Sequence, residues 1–325
     1  MNRVYITGMG LIMGTQVSGD GRCRYIDPGV LAEIDADPNH RYLDRVSKLS
    51  MMAVQLALQD RGPAVTKEQA IDYGLILGTE YGVLDSIHHF DLTALEKGPL
   101  AVSPMLFPNT VLSSAACQMS IRFSLAGPVY TVNNGFTSSL DAVGVAYQHV
   151  KQGLAPLMLA GGVDEITPLS LKIHQRTMQC AEASGFICIE NGLPGTLARP
   201  LAEILEFHSA GGSGENWKER GNSLIQALQS SSGDGVWSPM DVDCVFCGTA
   251  YPEAEGVKIM ERVCKNTGIQ GKLKYSSMDV FGAIGIVQII QALQSEPGQR
   301  VMIVNLDQEL ESALFIKTYN KECKQ

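Results

Sequence analysis

Residues 127–143 constrain the fold more than any other part of the sequence. They begin with Gly127-Pro128, pass through the apolar run Val129–Val132 and the polar corner Asn133-Asn134-Gly135, and open a segment that carries Leu140, Val143, Gly144 and Tyr147 at i, i+3, i+4 and i+7. The pattern predicts a turn, a short buried strand, a tight corner and a helix. A strand, corner and helix N-terminus in that order make a natural mount for a nucleophile. The first helical N–H groups are unpaired and the macrodipole favours negative charge, so a thiol placed there loses its proton easily. The residue at the corner is Phe136, whose ring cannot attack a carbonyl. The scaffold of a nucleophile site is present without its nucleophile.

The chain is long enough, at 325 residues, to bury a large core or to hold two domains. Its hydrophobic fraction of 45% and its 33 glycines suit an α/β fold of the enzyme type. No apolar run reaches the roughly 18–20 residues that a membrane-spanning helix needs. The opening Arg3-Val4-Tyr5-Ile6-Thr7-Gly8 reads as a strand and turn rather than a signal peptide. These features predict a cytoplasmic protein that does not enter a membrane. The net charge of −9 and the absence of a visible Lys/Arg cluster argue against a nucleic-acid partner.

The eight cysteines are scattered and read as reduced and mostly buried. Cys244 and Cys247 have ligand-like spacing, but no second Cys/His pair completes a tetrahedral site, and on a strand the two thiols face opposite ways. His88 and His89 are adjacent and so cannot share a helix face. Neither a metal nor another cofactor is expected.

The pattern predicts a strand at Val4–Thr7 closed by Gly8-Met9-Gly10, a polar stretch over 15–41, and a helix over 44–60 with Val46, Leu49, Met52, Ala53, Leu56 and Ala57 on one face. Further strands are expected at 73–79, Val129–Val132 and 156–162, the last followed by Val163-Asp164-Glu165. Beyond Cys180, Gly185 to Glu190 and Leu201 to Phe207 read as two antiparallel strands around a turn. Then come a helix over 215–230 with Trp217, Leu224, Ile225 and Leu228 inward, a strand over 242–247, helices over 253–264 and 280–293, and closing strands at 300–305 and 313–318. Strand–helix patterns thus occur twice, in halves 1–180 and 181–325 that form one unit. Two small, apolar helices, one after Phe136 and one from Val280, would be buried between sheets.

Several segments resemble the β-ketoacyl synthases of the thiolase superfamily. Gly127-Pro128-Val129-Tyr130-Thr131-Val132 resembles the family's strand, and Asn134-Gly135-Phe136-Thr137-Ser138-Ser139 stands at its Thr-Ala-Cys motif, with Phe136 in the cysteine's place. Met158-Leu159-Ala160-Gly161-Gly162 and the run from Pro108-Asn109 to Ser120-Ile121 are similar to further family segments. The resemblance covers nearly the whole chain and implies a thiolase fold, α/β, with five layers αβαβα from two pseudo-duplicated βαβαβ halves.

The family uses a cysteine and two histidines, with a lysine ordering the site. By that resemblance, Phe246-Cys247-Gly248-Thr249 puts Cys247 at the first histidine, and Lys274 to Gly285 keeps Lys274 but puts Asp279 at the second. The Gly-rich gating loop, which supplies a backbone N–H, is replaced by Asp307-Gln308-Glu309-Leu310-Glu311. An aspartate facing a developing oxyanion repels it, and losing one member of a cooperating set already removes most of the rate. No catalytic residue is therefore assigned. Phe136 is expected to plug the vacated pocket and Lys274 to pair with Asp279. Phe107, Asn109, Thr110, Ser114, Asn133, Asn134 and Phe136 are candidates for a substrate tunnel or subunit interface.

The resemblance further implies a chain-length-factor-like subunit that pairs with an active β-ketoacyl synthase in type II fatty acid or polyketide biosynthesis, such as that of polyenes or other unusual acyl chains. An acyl carrier protein would dock mostly on the partner, because this acidic chain offers it no basic landing site. The usual substitute for the cysteine in such subunits is glutamine, whereas this chain has phenylalanine. Two alternatives stand beside this reading. One is an acyl-thioester hydrolase or transferase using Cys247, although a neighbouring carboxylate would raise that thiol's pKa. The other is a homodimeric acyl-binding scaffold.

Overall fold

The computed structural model describes residues 3–64, 66–174, 179–192, 199–212, 219–231 and 238–320. The first part of the chain holds β1 (Val4–Met13), β2 (Gln16–Val17), β3 (Cys23–Tyr25), α1 (Ala32–Ala36), α2 (Arg45–Arg61), α3 (Lys67–Ala70), β4 (Gly74–Gly78) and α4 (Leu84–Lys97). There follow α5 (Ser114–Arg122), β5 (Val129–Val132), α6 (Ser138–Lys151), β6 (Leu157–Asp164), α7 (Pro168–Ile173), β7 (Cys180–Ala181) and β8 (Ala183–Asn191). The remainder is β9 (Ala202–Gly211), α8 (Asn222–Ser231), β10 (Cys244–Thr249), α9 (Glu253–Thr267), β11 (Lys272–Tyr275), α10 (Ile284–Ser295), β12 (Arg300–Leu306) and β13 (Leu310–Thr318). Trp217, expected on the inner face of the helix that begins at Asn222, lies outside the described residues.

Ten strands form one sheet in the order β11-β10-β12-β13-β9-β1-β8-β6-β4-β5. Within it β4, β5 and β6 are parallel, as are β10, β11 and β12. The two half-sheets meet at a short antiparallel seam where Val4, Tyr5 and Ile6 pair with Ile204, Glu203 and Ala202. The strands after Cys180 do not form the hairpin that the sequence suggests: β8 and β9 flank β1 on opposite sides, each antiparallel to it. β8 thus lies with the N-terminal half-sheet and β9 with the C-terminal one.

Alternation along the strands sorts the side chains into layers. Leu75 and Leu77, Leu157 and Leu159, and Phe186 and Cys188 point outward against Leu49 and Ala53 of α2 and Ala116 and Met119 of α5. Their neighbours Ile76, Met158, Ala160 and Ile187 point inward against Leu140 and Val143 of α6 and Ile286 and Ile290 of α10. Phe246, Ile303 and Leu314 of the second half-sheet close the same inner cluster from the other side. Val245, Met302, Val304 and Phe315 face outward onto Leu224 and Leu228 of α8 and Ile259 and Val263 of α9. The result is helix, sheet, helix, sheet, helix. Strands buried on both faces need apolar residues at every position, which explains their unbroken apolar runs.

β1 does not stop at its glycines. Gly8 and Gly10 sit inside the strand beneath α2, where a Cβ on Gly10 would lie 2.2 Å from the Ala53 carbonyl oxygen. They mark close backbone approach rather than a turn. The helix above is capped at Asp44, whose carboxylate accepts the Ser47 N–H at 2.7 Å. Among the described residues no helix is long and apolar enough to cross a membrane.

Candidate functional site at the heads of the central helices

α6 and α10 begin alike, as duplicated halves require. Asn134 and Val280 have φ/ψ of −115/36° and −118/28°. The next residue in each is left-handed, Gly135 at φ 61° and Phe281 at φ 55°, and a 3-10 turn then leads into the helix. Phe281 bears the left-handed cost of roughly 1–2 kcal/mol that glycine avoids. Its fully buried ring packs edge-on against His174 and Tyr81 at 4.8 and 5.4 Å, and its N–H donates to Asp279 Oδ1 at 2.8 Å.

At the head of α6 the backbone N–H of Phe136 donates to Asp307 Oδ2 at 2.9 Å. That N–H stands where an incoming anion would bind a helix N-terminus, and the chain's own carboxylate holds it. A Cβ on Gly135 would lie 2.8 Å from the same oxygen, so glycine serves both the turn and the approach of Asp307. Asp307 is itself fixed: its N–H donates to the Leu310 carbonyl at 2.8 Å, Oδ1 accepts from Gln308 N–H at 2.7 Å, and its carbonyl accepts from Tyr251 at 2.7 Å. Asp307-Gln308-Glu309 is thus the tight turn of the β12–β13 hairpin. The hairpin's Glu311 is 1% exposed and accepts the backbone N–H groups of Gly221 and Leu224 at the start of α8. No sequence signal placed these two carboxylates at two helix N-termini.

Phe136, Cys247 and Asp279 line one cavity of about 20 Å³, close to the roughly 10–15 Å³ that a single water requires. The Phe136 ring, 2% exposed, belongs to the inner core. The Cys247 side chain joins the outer cluster with Tyr251 and Ile259, whereas Cys244 belongs to the inner one. Burial pushes the Cys247 thiol far above its ordinary range, with Cys264 and Cys244 contributing less. Burial, and not a neighbouring carboxylate, is responsible. Lys274 does not pair with Asp279. Its ammonium pairs with Glu296 and lies 5.0 Å from the Phe246 ring centroid. Asp279, 2% exposed, instead has its Oδ2 at 3.2 Å from His174 Nε2, and His174 Nδ1 is 3.3 Å from the Tyr81 hydroxyl. No sequence signal singled out His174.

The remaining candidates are mostly braces. Asn133 donates to the Thr79 and Glu80 carbonyls at 2.9 and 3.0 Å, and Asn134 donates to buried Asp141 at 3.0 Å. Asn109 donates to the Tyr42 carbonyl, and Thr110 to that of Phe107 at 2.8 Å. Ser114 is buried, whereas Phe107 is 58% exposed. Asp164 holds the turn after β4 through Thr79 Oγ1 and the Tyr81 N–H, at 2.8 and 2.9 Å, and burial raises it to about 6. Beside it Glu165 is raised to about 8 by burial, then by Asp85 and Asp44. Among the described residues no group of three or more His, Cys, Asp or Glu could hold a metal ion.

Residues 32–186 match the family described as β-ketoacyl synthase, N-terminal domain. Over 132 residues the chain is 33% identical to 3-oxoacyl-[acyl-carrier-protein] synthase 2 of Vibrio harveyi, a match that takes in 40% of this chain and 32% of that one. Such matches span from a third to about half the length of the relatives concerned. In structure it is similar to the ishigamide ketosynthase/chain length factor, with TM-score 0.80, 17% identity and coverage of 98% of this chain and 100% of that one. A type II polyketide ketosynthase solved with its acyl carrier protein gives TM-score 0.80 at 16% identity, covering 98% of this chain and 100% of that chain. The fold is therefore that of the ketosynthases, a thiolase fold.

Proposed function

Starting from its kinship with the β-ketoacyl synthases, we propose that this chain is a non-catalytic, chain-length-factor-like subunit that pairs with an active ketosynthase in type II fatty acid or polyketide biosynthesis. The observation that carries this is the Asp307 carboxylate on the Phe136 N–H, beside a pocket filled to about 20 Å³. Phe136 cannot attack a thioester carbonyl, burial keeps the Cys247 thiol protonated, the Phe136 N–H is already engaged, and a carboxylate opposes the charge that an acyl transfer would develop.

The partner role is supported by what lies beside the site. β5 is an edge strand, paired only with β4 among the described residues, and its Tyr130 is 47% exposed. Met105, Leu106, Phe107, Val111, Leu112 and Ile121 are also exposed, at 41–73%. An open edge strand and an apolar surface ordinarily have to be covered. The neighbours in structure include a ketosynthase/chain length factor and a ketosynthase with its acyl carrier protein, which are the partner and cargo that this reading assigns.

The test is co-expression with ketosynthases from the same cell, a pull-down, and a condensation assay on the purified complex. A stoichiometric complex whose product length changes when Phe107 or Phe136 is trimmed supports the reading. A stable homodimer that ignores every ketosynthase made with it ends the reading and favours the homodimeric scaffold.

A further inference from the structure

The sequence shows no basic cluster, yet the fold assembles one. Arg3 at the start of β1, Lys151 at the end of α6, Arg300 at the start of β12 and Lys317 near the end of β13 line one groove of about 380 Å³. They come from four distant points of a chain with net charge −9. Half-buried Tyr319 forms one wall, and the buried Tyr147 reaches the groove from the core beneath. Lys151 is held in place by donating to the Tyr147 hydroxyl at 2.8 Å, one helical turn back, and that hydroxyl donates to the Leu205 carbonyl at 3.1 Å.

Acidic groups also face the groove. Glu203 lies 3.6 Å from Arg3 and accepts from the Tyr319 hydroxyl at 3.0 Å. Arg300 pairs with Asp241, and its N–H donates to Asp243 Oδ2 at 2.8 Å. No acid is paired with Lys151 or Lys317 among the described residues. The four lining cations therefore exceed the single lining acid, and the excess is not cancelled when Asp241 and Asp243 are counted against Arg300.

We propose that this groove binds a small molecule carrying a phosphate or diphosphate group, with Lys151 and Lys317 on the anion and Tyr319 against its organic body. The volume falls within the roughly 300–1,000 Å³ of small-molecule sites. The groove's shape favours a small ligand over an acidic protein. Its cations surround a hollow, and a broad acidic surface would have to meet Glu203, Asp241 and Asp243 as well. The site is separate from the one at Phe136. α6 runs from Ser138 to Lys151, about 20 Å at 1.5 Å per residue, and its two ends serve the two sites. The inference therefore stands whether or not the chain pairs with a ketosynthase.

The test is calorimetric titration of the full chain with inorganic pyrophosphate at fixed ionic strength, for the wild type, the double variant Lys151→Ala/Lys317→Ala, and a control Lys97→Ala/Lys172→Ala that removes the same charge elsewhere. The expected result is saturable one-to-one binding in the wild type and control, weakened at least tenfold in the groove variant. Circular dichroism and an unchanged melting midpoint establish that the groove variant folds. Lys151→Arg, which keeps the charge, retains most of the affinity. Absence of saturable binding in the wild type, equal binding by all variants, or equal loss in the control overturns the proposal. So does an acidic protein that binds this face and is not displaced by pyrophosphate.

Discussion

Replacing Asp307 with alanine removes the carboxylate from the head of α6, and the cost can be worked out from its contacts. Asp307 accepts the Phe136 N–H at 2.9 Å and the Gln308 N–H at 2.7 Å. Hydrogen bonds to charged groups contribute roughly 1.5–3 kcal/mol where the partner is left unsatisfied. An N-cap carboxylate lost to alanine costs about 0.5–2 kcal/mol. Asp307 is only partly buried, so water replaces some of what is lost, and the expected destabilisation is about 1–2 kcal/mol. Asp307→Asn keeps an acceptor and loses the charge, leaving the dipole share of roughly 0.3–1 kcal/mol. Urea unfolding at pH 7 in low salt measures both through a lower midpoint at unchanged slope. The asparagine deficit should shrink in high salt while the alanine deficit largely persists. An alanine variant as stable as the wild type would show that the carboxylate does not brace the helix head.

Phe136→Ala empties a buried ring from the inner core and is expected to cost about 3–5 kcal/mol in the same unfolding assay; a loss under about 1 kcal/mol would mean the ring does not fill the pocket. With iodoacetamide at pH 8, exposed Cys117 should be labelled well before Cys247, whose thiol is pushed up by burial; peptide mass spectrometry showing Cys247 labelled first would revive the hydrolase or transferase alternative. Glu165 has its folded pKa raised from 4.5 to about 8, so the folded state holds a proton that the unfolded state gives up. The stability from this group is present below about pH 4.5 and lost as pH rises to about 8. Glu165→Gln should flatten stability against pH across that window, and an unchanged profile would contradict the shift.

How much could be read in advance divides along physical lines. The layers were legible because alternation along strands and periodicity along helices follow from burial. The helix over 44–60 appears as Arg45–Arg61, with Asp44 at its cap, because cap and apolar stripe are both local. Gly8 and Gly10 were misread as a turn because a glycine in a strand can mark either a bend or close approach, and only the helix crossing above decides. The order of β8, β1 and β9 was missed because adjacency in sequence is a weak guide to pairing when an intervening strand can enter between. At the site, Phe136, Cys247 and Asp279 could be singled out by the resemblance, and they do line one cavity. Their partners could not, because Asp307, His174 and Glu296 arrive from distant elements.

The same division explains why the fold does not depend on which residue stands at the head of α6. The central helices are set by apolar faces packed between two half-sheets, and none of that packing needs a cysteine or a histidine. What a binding site at a helix head does need is a free N-terminus. Here one hairpin supplies a carboxylate to each of two helices, Asp307 to α6 and Glu311 to α8. Carboxylates at helix N-termini stabilise the folded chain, and each one that stays also denies its helix head to an external anion. A Phe136→Cys variant would therefore still have Asp307 on the backbone donor, and that carboxylate would have to leave before the N–H could serve a ligand.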